Sequence, residues 1–325
     1  MEFPLNFDLG ILSFPKIPRA ARPFALTPPH TRGKVTAIQI TSMKTLKSFA
    51  LLAALAVAGF LTANPAAAAD YEPVVGLQTW TCRNMNFDQV VAFAEKHKLK
   101  QIQMIGSHMN PSAPPEETKR KQAILAAKGM TCYTFGVAGT SPEKEKNRQL
   151  FEFAKLVGCK VIVVEPKNDV VEPKNDKALW DGLEELVKEY DIKLAIHNHG
   201  KDSVYGTPEK VWSVLKNRDR RIGVCMDVGH ITGAGFDAAK AFAAYDGRVY
   251  DIHLKDKKIE QVGGKDVILD VMIGAGVSNY KGLLAELKKA NWNGVMAIET
   301  DNGNYAKDPN EFVAGAIEYV RANRP

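Results

Sequence analysis

The sequence predicts an α/β protein: a single (β/α)8 barrel, or TIM barrel, preceded by a cleavable signal peptide. Three observations predict it. Eight short apolar runs alternate with eight segments of helical periodicity. The part of the chain that carries them, residues 70–325, has 256 residues, close to the ~250 typical of such a barrel. Side chains that bind metals or transfer protons follow several of the apolar runs.

Residues 43–69 have the three parts of a signal peptide. Lys44 and Lys47 form a short positive start, and an apolar run of about a dozen residues follows. This run is shorter than the ~20 residues that span a bilayer. Ala67 to Ala69 offer a cleavage site of small residues. We therefore expect a periplasmic or secreted protein without stable membrane insertion after cleavage; an uncleaved anchor or a buried helix is the alternative.

Residues 1–42 precede this segment and are rich in Pro and Arg, without a sustained period. We interpret them as an upstream extension from a misassigned start codon, absent from the mature protein. The mature chain would then be residues 70–325, folded as one barrel domain.

Each predicted strand is a short apolar run, because both faces of a strand in a parallel barrel are covered. The predicted strands are 74–80, 101–105, 131–137, 160–165, 193–199, 222–227, 249–254 and 294–299. The helices that follow them are 86–97, 115–128, one opening at 141–145, 177–190, one starting at 207–209, 237–245, 280–290 and 309–322. A doubly wound open sheet is the alternative, which the lack of GxGxxG after the first strand disfavours.

Local signals mark several helix ends. Gly129 is a favoured residue just after a helix. Ser141, followed by a proline, predicts the N-cap of the third helix, and Thr207 does the same for the fifth. Residues 257–278 form an insertion before the seventh helix. Within it, Gly274 to Gly276 predict a flexible turn, with a phosphate-binding element as the alternative.

A perfect tandem heptad follows the fourth strand: residues 163–169 are repeated as 170–176. Seven residues are too few for a solenoid repeat, and the prolines exclude a continuing coiled coil. We interpret a local duplication that lengthens the loop. Glu165, in the first copy, is then the candidate for the barrel mouth, and Glu172 a solvated loop residue.

Charge and cysteine content exclude several classes of protein. Seven of the 43 Lys and Arg and two of the 37 Asp and Glu lie in residues 1–69, which leaves a net charge of +1 for the rest. This near-neutral balance argues against a nucleic-acid partner. The four cysteines form no CxxC pair, so a zinc–thiolate site is not predicted. Export would permit a disulfide; buried free thiols are favoured.

Polar residues collect where the predicted strands end, which is where barrel enzymes place their active sites. The candidates are Glu165, His197, His199, Asp227, His230, His253, Lys255 and Glu299. Any one of them alone fits a core or capping role, but together they predict one shared site. Imidazoles with carboxylates suit one divalent ion of Mn, Fe, Co, Zn or Mg. Such an ion polarises a carbonyl while a nearby base removes the adjacent proton.

The candidate residues at the strand ends can be given individual catalytic or substrate-binding roles. The candidate catalytic residues are Glu165, His199, His230 and Glu299. The candidate substrate-binding residues are Trp80, His199 and Lys255. Trp80 would stack on a sugar, or pack in the core. Lys255 would bind a substrate oxygen, or pair with Asp256 or Asp251. His230 would orient a carboxylate or act on substrate, or cap a loop.

The segments LAIHNHG, MDVGHITGAG, DIHLKD and GVMAIET, in that order, resemble the xylose isomerase-like TIM-barrel family, the sugar phosphate isomerase/epimerase superfamily. The resemblance covers residues 74–322. It implies one divalent metal ion held by His197, Asp227, His253 and Glu299. The family commonly has Glu at the strand-five position, where this chain has His197; Glu165 is a second source of a carboxylate. The endonuclease branch is disfavoured, because strands two and three lack its histidines.

The resemblance implies a metal-dependent sugar isomerase or epimerase that acts by proton abstraction next to a carbonyl. Epimerases of the family use two metal-bound glutamates, and here only Glu299 of that pair is present. The alternative is therefore a lyase or hydratase acting on a keto-sugar or 3-keto-glycoside. A second alternative is a non-catalytic sugar-binding barrel. The expected partner is a small sugar or keto-sugar. Monomers, dimers and tetramers occur in the family, so a homo-oligomer is open.

Overall fold

In a computed structural model of the protein, the described residues are 71–166 and 173–325. The proposed extension (1–42) and signal peptide (43–69) lie outside them, as does Glu172 in the tandem heptad. No helix in the described ranges is both long enough and apolar enough to cross a membrane.

Eight parallel strands close into a barrel, which confirms the predicted fold class and excludes the open sheet. The strands are β1 (Val74–Gln78), β2 (Gln101–Met104), β3 (Thr131–Ala138), β4 (Val161–Val164), β5 (Lys193–His197), β6 (Ile222–Asp227), β7 (Val249–Leu254) and β10 (Val295–Ile298). Each pairs with its neighbours along the chain, and β1 pairs with β10 to close the barrel.

Helices connect the strands. They are α1 (Phe87–Lys96), α2 (Pro115–Ala127), α3 (Lys144–Val157), α4 (Pro173–Tyr190), α5 (Pro208–Leu215), α6 (Val228–Gly233), α7 (Ala238–Ala244), α8 (Tyr280–Lys289), α9 (Gly303–Lys307) and α10 (Asn310–Asn323). Thr207 caps α5 as predicted, because its side chain accepts a hydrogen bond from Lys210 N. Gly129 follows α2 with φ of 62°, the left-handed conformation expected there.

The predicted cap of the third helix is wrong. The helix α3 begins at Lys144, with Glu143 rather than Ser141 at its N-cap. The side chain of Asn147 explains the difference. It accepts a hydrogen bond from Ser141 N and donates one to Ser141 O. These bonds hold Ser141 in a turn before the helix.

The insertion contains a hairpin that we did not predict: β8 (Asp256–Val262) pairs antiparallel with β9 (Lys265–Val271). Beyond it, the backbone N–H groups of Gly274 and Gly276 both donate to Asp256 Oδ2, at 2.9 and 3.0 Å. These are the groups that a phosphate would need. The glycine segment is therefore a turn held by a carboxylate, not a phosphate-binding element.

Side-chain alternation along the strands positions the site. Val163, Ala195 and Cys225 belong to a small cluster that is separate from the main hydrophobic core. Because successive strand residues point to opposite faces, residues two positions later share the inward direction. For Ala195 and Cys225 those residues are His197 and Asp227. The inner cluster thus forms the floor on which the polar site lies.

Candidate metal centre

Four adjacent barrel strands bring two imidazoles and two carboxylates together. His197 ends β5, Asp227 ends β6, His253 lies in β7 and Glu299 directly follows β10. These strands are neighbours in that order, and parallel strands deliver their carboxyl ends to one face of the barrel. All four side chains are at most 5 % exposed. The structure therefore brings together the four residues that the family resemblance implied as metal ligands.

The donor atoms of these side chains converge. One donor atom from each lies within 4.8 Å of the other three. His197 Nε2 and His253 Nδ1 lie 3.5 and 3.7 Å from Asp227 Oδ2, and His253 Nδ1 lies 2.5 Å from Glu299 Oε2. All of these atoms are buried, and none of them makes a hydrogen bond of good geometry. Because buried polar atoms are normally bonded, a shared partner of another kind is indicated.

A divalent ion fits this set of atoms. Metal–ligand bonds of about 2.0–2.2 Å place the ligands of one ion no more than about 4.4 Å apart, so only small shifts are needed. Two nitrogens and two carboxylate oxygens suit Mn, Fe, Co, Zn or Mg. A proton on His253 would compete with the metal ion for Nδ1. Burial lowers the pKa of His253, but the charge of Glu299 and the contact with Asp227 raise it well above its usual range.

Asp227 has both of the roles considered for it. Its Oδ1 caps α6 by accepting a hydrogen bond from His230 N at 2.8 Å, while Oδ2 faces the other ligands. The side chain of Asn198 fixes the Asp227 backbone by accepting from its N–H and donating to its carbonyl oxygen, at 2.9 and 3.1 Å. Sequence reasoning missed Asn198, although it stands between two candidate histidines.

Gln103 is a second residue that sequence reasoning missed. Its Oε1 lies 2.8 Å from His253 Nε2, and both side chains are fully buried. Since an amide oxygen only accepts, His253 Nε2 donates to it, and this leaves Nδ1 as the ring nitrogen that would bind a metal ion in place of a proton. The sequence signal was a glutamine inside an apolar strand.

We expect Gln103→Leu to weaken metal binding by about 10- to 100-fold, because loss of the hydrogen bond frees the ring and tautomer of His253. Isothermal titration with Mn²⁺, Co²⁺ and Zn²⁺ measures this. Gln122→Leu is the matched control, since Gln122 donates to Val157 O away from the site. Equal affinities in Gln103→Leu and wild type would contradict the role given to Gln103.

Lys255 is fully buried among three carboxylates. Its Nζ lies 3.1 Å from Asp227 Oδ2, 3.3 Å from Glu299 Oε1 and 2.9 Å from Asp301 Oδ2. The predicted alternative partners, Asp256 and Asp251, were wrong. Burial lowers the pKa of Lys255, but the carboxylate charges outweigh it and raise the pKa well above its usual value. Lys255 therefore stays charged and holds the carboxylates in place.

A cavity of about 410 Å³ opens onto the ligand set. Its lining includes Trp80, Glu165, His197, His199 and Glu299. Of the remaining predicted residues, Trp80, Glu165 and His199 therefore meet at this cavity, whereas His230 and Lys255 do not line it. Glu165 Oε2 lies 3.8 Å from His197 Nδ1.

Glu165 is ionised, and His230 nearby is neutral. Burial raises the pKa of Glu165, but His197 and His199 outweigh this and hold it below the usual value, so the carboxylate is ionised. His230 lies behind His199, with ring centroids 4.1 Å apart. Burial lowers the pKa of His230 to about 3. His230 is therefore a neutral imidazole that supports the site from behind the cavity wall.

Asp301 joins the cavity mouth to the buried lysine, and it had no predicted role. Its Oδ1 accepts a hydrogen bond from Trp80 Nε1 at 3.0 Å, and its Oδ2 accepts one from Lys255 Nζ. The Arg83 guanidinium lies 4.9 Å from the Trp80 ring centroid and bonds the Thr300 and Asp301 carbonyls. Trp80, 41 % exposed, is thus held at the mouth rather than packed in the core.

Comparison with known proteins finds a matching family model and related sequences. A family model described as xylose isomerase-like TIM barrel matches residues 55–322. An inosose dehydratase from Clostridium perfringens is 25% identical over 215 residues, which cover 56% of this chain and 72% of that protein.

Two solved structures are similar throughout the barrel. An uncharacterized protein from Parabacteroides distasonis superposes with a TM-score of 0.58 at 25% identity, covering 78% of this chain and 99% of the other. The IOLI protein, whose structure has a bound zinc atom, superposes with a TM-score of 0.60 at 17% identity, covering 77% and 96%.

Proposed function

The chain belongs to the xylose isomerase-like TIM barrel family, and from this premise we propose that it is a metal-dependent lyase that removes water from a keto-sugar or keto-polyol. The name of the Clostridium perfringens relative supports a dehydratase. The isomerase or epimerase that the sequence led us to expect has support only from the family as a whole. The comparisons therefore favour the lyase, our first alternative.

One observation carries the choice: the ligand set contains a single glutamate. His197, not a glutamate, occupies the strand-five position, and Glu299 is the other acid beside Asp227. Epimerisation needs a base on each face of the substrate carbon. Elimination needs a base for the proton and an acid for the departing hydroxyl, which can be different residue types. The cavity lining offers such a pair of different residue types, Glu165 and His199.

We propose that His197, Asp227, His253 and Glu299 hold one divalent ion. When bound, the ion would polarise a substrate carbonyl and acidify the adjacent C–H. The bound zinc of the IOLI protein is a parallel in the same fold. Which metal this chain selects depends on availability as well as ligand type.

Glu165 is the proposed base. Its carboxylate lines the cavity beside His197, and its lowered pKa keeps it ionised. A Glu165 oxygen takes the proton from the carbon next to the carbonyl; the C–H electron pair forms a C=C bond, and the carbonyl π pair moves onto its oxygen to give an enediolate, whose oxygen pair re-forms the carbonyl as the next hydroxyl leaves. His199 is the proposed acid: a ring nitrogen donates a proton to the hydroxyl on the next carbon, which leaves as water. The enol that remains rearranges to a diketone.

Trp80 and Asp301 would orient the substrate at the mouth. The indole offers an apolar surface for the C–H face of a sugar ring, and the exposed part of Asp301 accepts hydrogen bonds from hydroxyls. Lys255 is too deeply buried to meet substrate in this structure. Its proposed part is to hold Glu299 and Asp301, a change from the substrate-binding role we expected.

We also propose that the protein is exported, with residues 43–69 removed. Amino-terminal sequencing of the cell-derived protein tests this. A mature chain that begins near residue 70 is expected, and a product that retains residues 1–69 would refute it.

Product analysis separates lyase from epimerase, since both begin by removing the same proton. Metal-restored protein is incubated with an inosose, and separately with a 3-keto-glucoside, and the products are identified by NMR and mass spectrometry. We expect loss of one water from at least one substrate, and much slower loss with Glu165→Gln. Epimer formation without water loss would support the isomerase instead. Binding without any turnover would support a sugar-binding barrel.

A further inference from the structure

Two of the four cysteines lie side by side at the amino-terminal end of the barrel, opposite the candidate metal centre. Cys132 Sγ and Cys159 Sγ are 3.5 Å apart, and the residues are 4 % and 2 % exposed. Cys132 lies near the start of β3, and Cys159 comes just before β4. All four cysteines are free thiols in this structure. The other two, Cys82 and Cys225, lie after β1 and within β6.

The strand register places the pair directly opposite each other. In β3 and β4, Thr134 pairs with Val161, so two residues earlier Cys132 faces Cys159. The hydrogen bond from Lys160 N to Tyr133 O, 3.1 Å long, extends the pairing to this point. Adjacent strands lie about 4.8 Å apart, and disulfides join Cα atoms about 4.4–6.8 Å apart. The backbone therefore already has the spacing that a cross-strand disulfide needs.

We propose that Cys132 and Cys159 form a disulfide bond when the chain meets a low-molecular-weight disulfide such as oxidised glutathione. One cysteine thiolate attacks the glutathione disulfide, forming a mixed disulfide and displacing one glutathione thiolate. The second cysteine sulfur then displaces the other glutathione. Both cysteine sulfurs are oxidised, one glutathione disulfide is reduced to two thiols, and the two cysteine protons end on those thiols.

Access controls when this reaction takes place. The contact with Cys132 and burial raise the pKa of the Cys159 thiol well above its usual value, which leaves little thiolate in the folded barrel. Cys159 nevertheless lies directly after Gly158, an exposed residue with φ of 86° at the end of α3. We therefore expect rapid oxidation while the chain folds and slow oxidation afterwards.

The bond would tie β3 to β4 across α3. It closes a loop of 28 residues, counted from Cys132 to Cys159, and such a loop constrains the unfolded chain. For a domain of this size we expect the melting temperature to rise by about 5–10 °C. Because the pair lies at the opposite end of the barrel from the ligand set, metal affinity should be unchanged.

The test is to refold the protein in a glutathione redox buffer and, separately, in excess reductant. We expect the oxidised sample to lose two hydrogens by intact mass, to show two titratable thiols under denaturing conditions, and to yield one cross-linked peptide pair containing residues 132 and 159. Its melting temperature should exceed that of the reduced sample. Four remaining thiols, or a cross-link through Cys82 or Cys225, would overturn the proposal.

Serine variants test separately which two cysteines form the disulfide. Cys132→Ser and Cys159→Ser should each keep three thiols in the oxidising buffer and melt at the same temperature in both buffers. Cys82→Ser, the matched control, should still form the bond and keep one thiol. A Cys159→Ser protein that is still stabilised by oxidation would contradict the proposal.

Discussion

Asp227→Asn is expected to abolish metal binding while the barrel stays folded. The amide retains an oxygen that can cap α6, and Asn caps helices about as well as Asp. It removes, however, the negative charge at Oδ2, which faces His197 and His253. We expect metal affinity to fall by more than the roughly 10- to 100-fold typical of residues one layer further out, and the proposed dehydration to fall with it.

Metal titration and circular dichroism on the same sample check this prediction. Asp237→Asn is the matched control, because Asp237 caps α7 through Lys240 N and is not one of the four ligand-set residues. The control should bind metal as wild type does. Wild-type metal content in Asp227→Asn would remove Asp227 from the site, whereas loss of the far-ultraviolet spectrum would mean that the variant reports on folding, and His253→Ala would then replace it.

Lys255→Met is expected to destabilise the metal-free protein by about 3–5 kcal/mol, the usual cost of removing one partner from a buried ion pair. The change leaves Asp227, Glu299 and Asp301 close together without their shared cation. A bound divalent ion would restore positive charge beside the first two. The destabilisation should therefore be smaller when metal is present.

Urea unfolding with and without saturating metal measures both effects. Lys258→Met serves as the control, since Lys258 pairs with Glu260 on the exposed hairpin and such pairs contribute about 0–1 kcal/mol. An equal loss of stability with and without metal would contradict a site shared by the ion and Lys255. A loss no larger than in Lys258→Met would contradict the buried charge cluster itself.

The sequence predicted the barrel well because each buried strand is apolar on both faces, and this pattern is local. The hairpin β8–β9 was missed for the opposite reason. Lys258, Glu260 and Lys265 interrupt its apolar residues, and much of the ribbon is exposed. The glycine turn that follows the hairpin is held by Asp256, whose hydrogen bonds reach 18 to 22 residues along the chain.

The site was predictable in its residue types and not in its contacts. His197, Asp227, His253 and Glu299 stand out because ionisable residues are rare at apolar strand ends. Gln103 does not, since its partner His253 is 150 residues away. Similarly, the three partners of Lys255 depend on which strands become neighbours. Residue chemistry can be read locally, but the pairing of buried charges needs the closed barrel.

Function was harder to predict than fold because isomerases and dehydratases share the removal of a proton next to a carbonyl. They differ in what happens to the electron pair afterwards, which depends on whether an acid reaches the neighbouring hydroxyl. His199 beside Glu165 in one cavity is the feature that fits elimination. No single strand-end motif in the sequence shows that these two residues line the same cavity.

Elemental analysis of the protein purified without chelator tests the central claim most directly. We predict about one equivalent of Mn, Fe, Co, Zn or Mg per chain, released by chelator and restored by titration. The analysis should find none in Asp227→Asn. A wild-type protein that contains no metal and takes up none on titration would contradict the metal centre, and with it the proposed lyase.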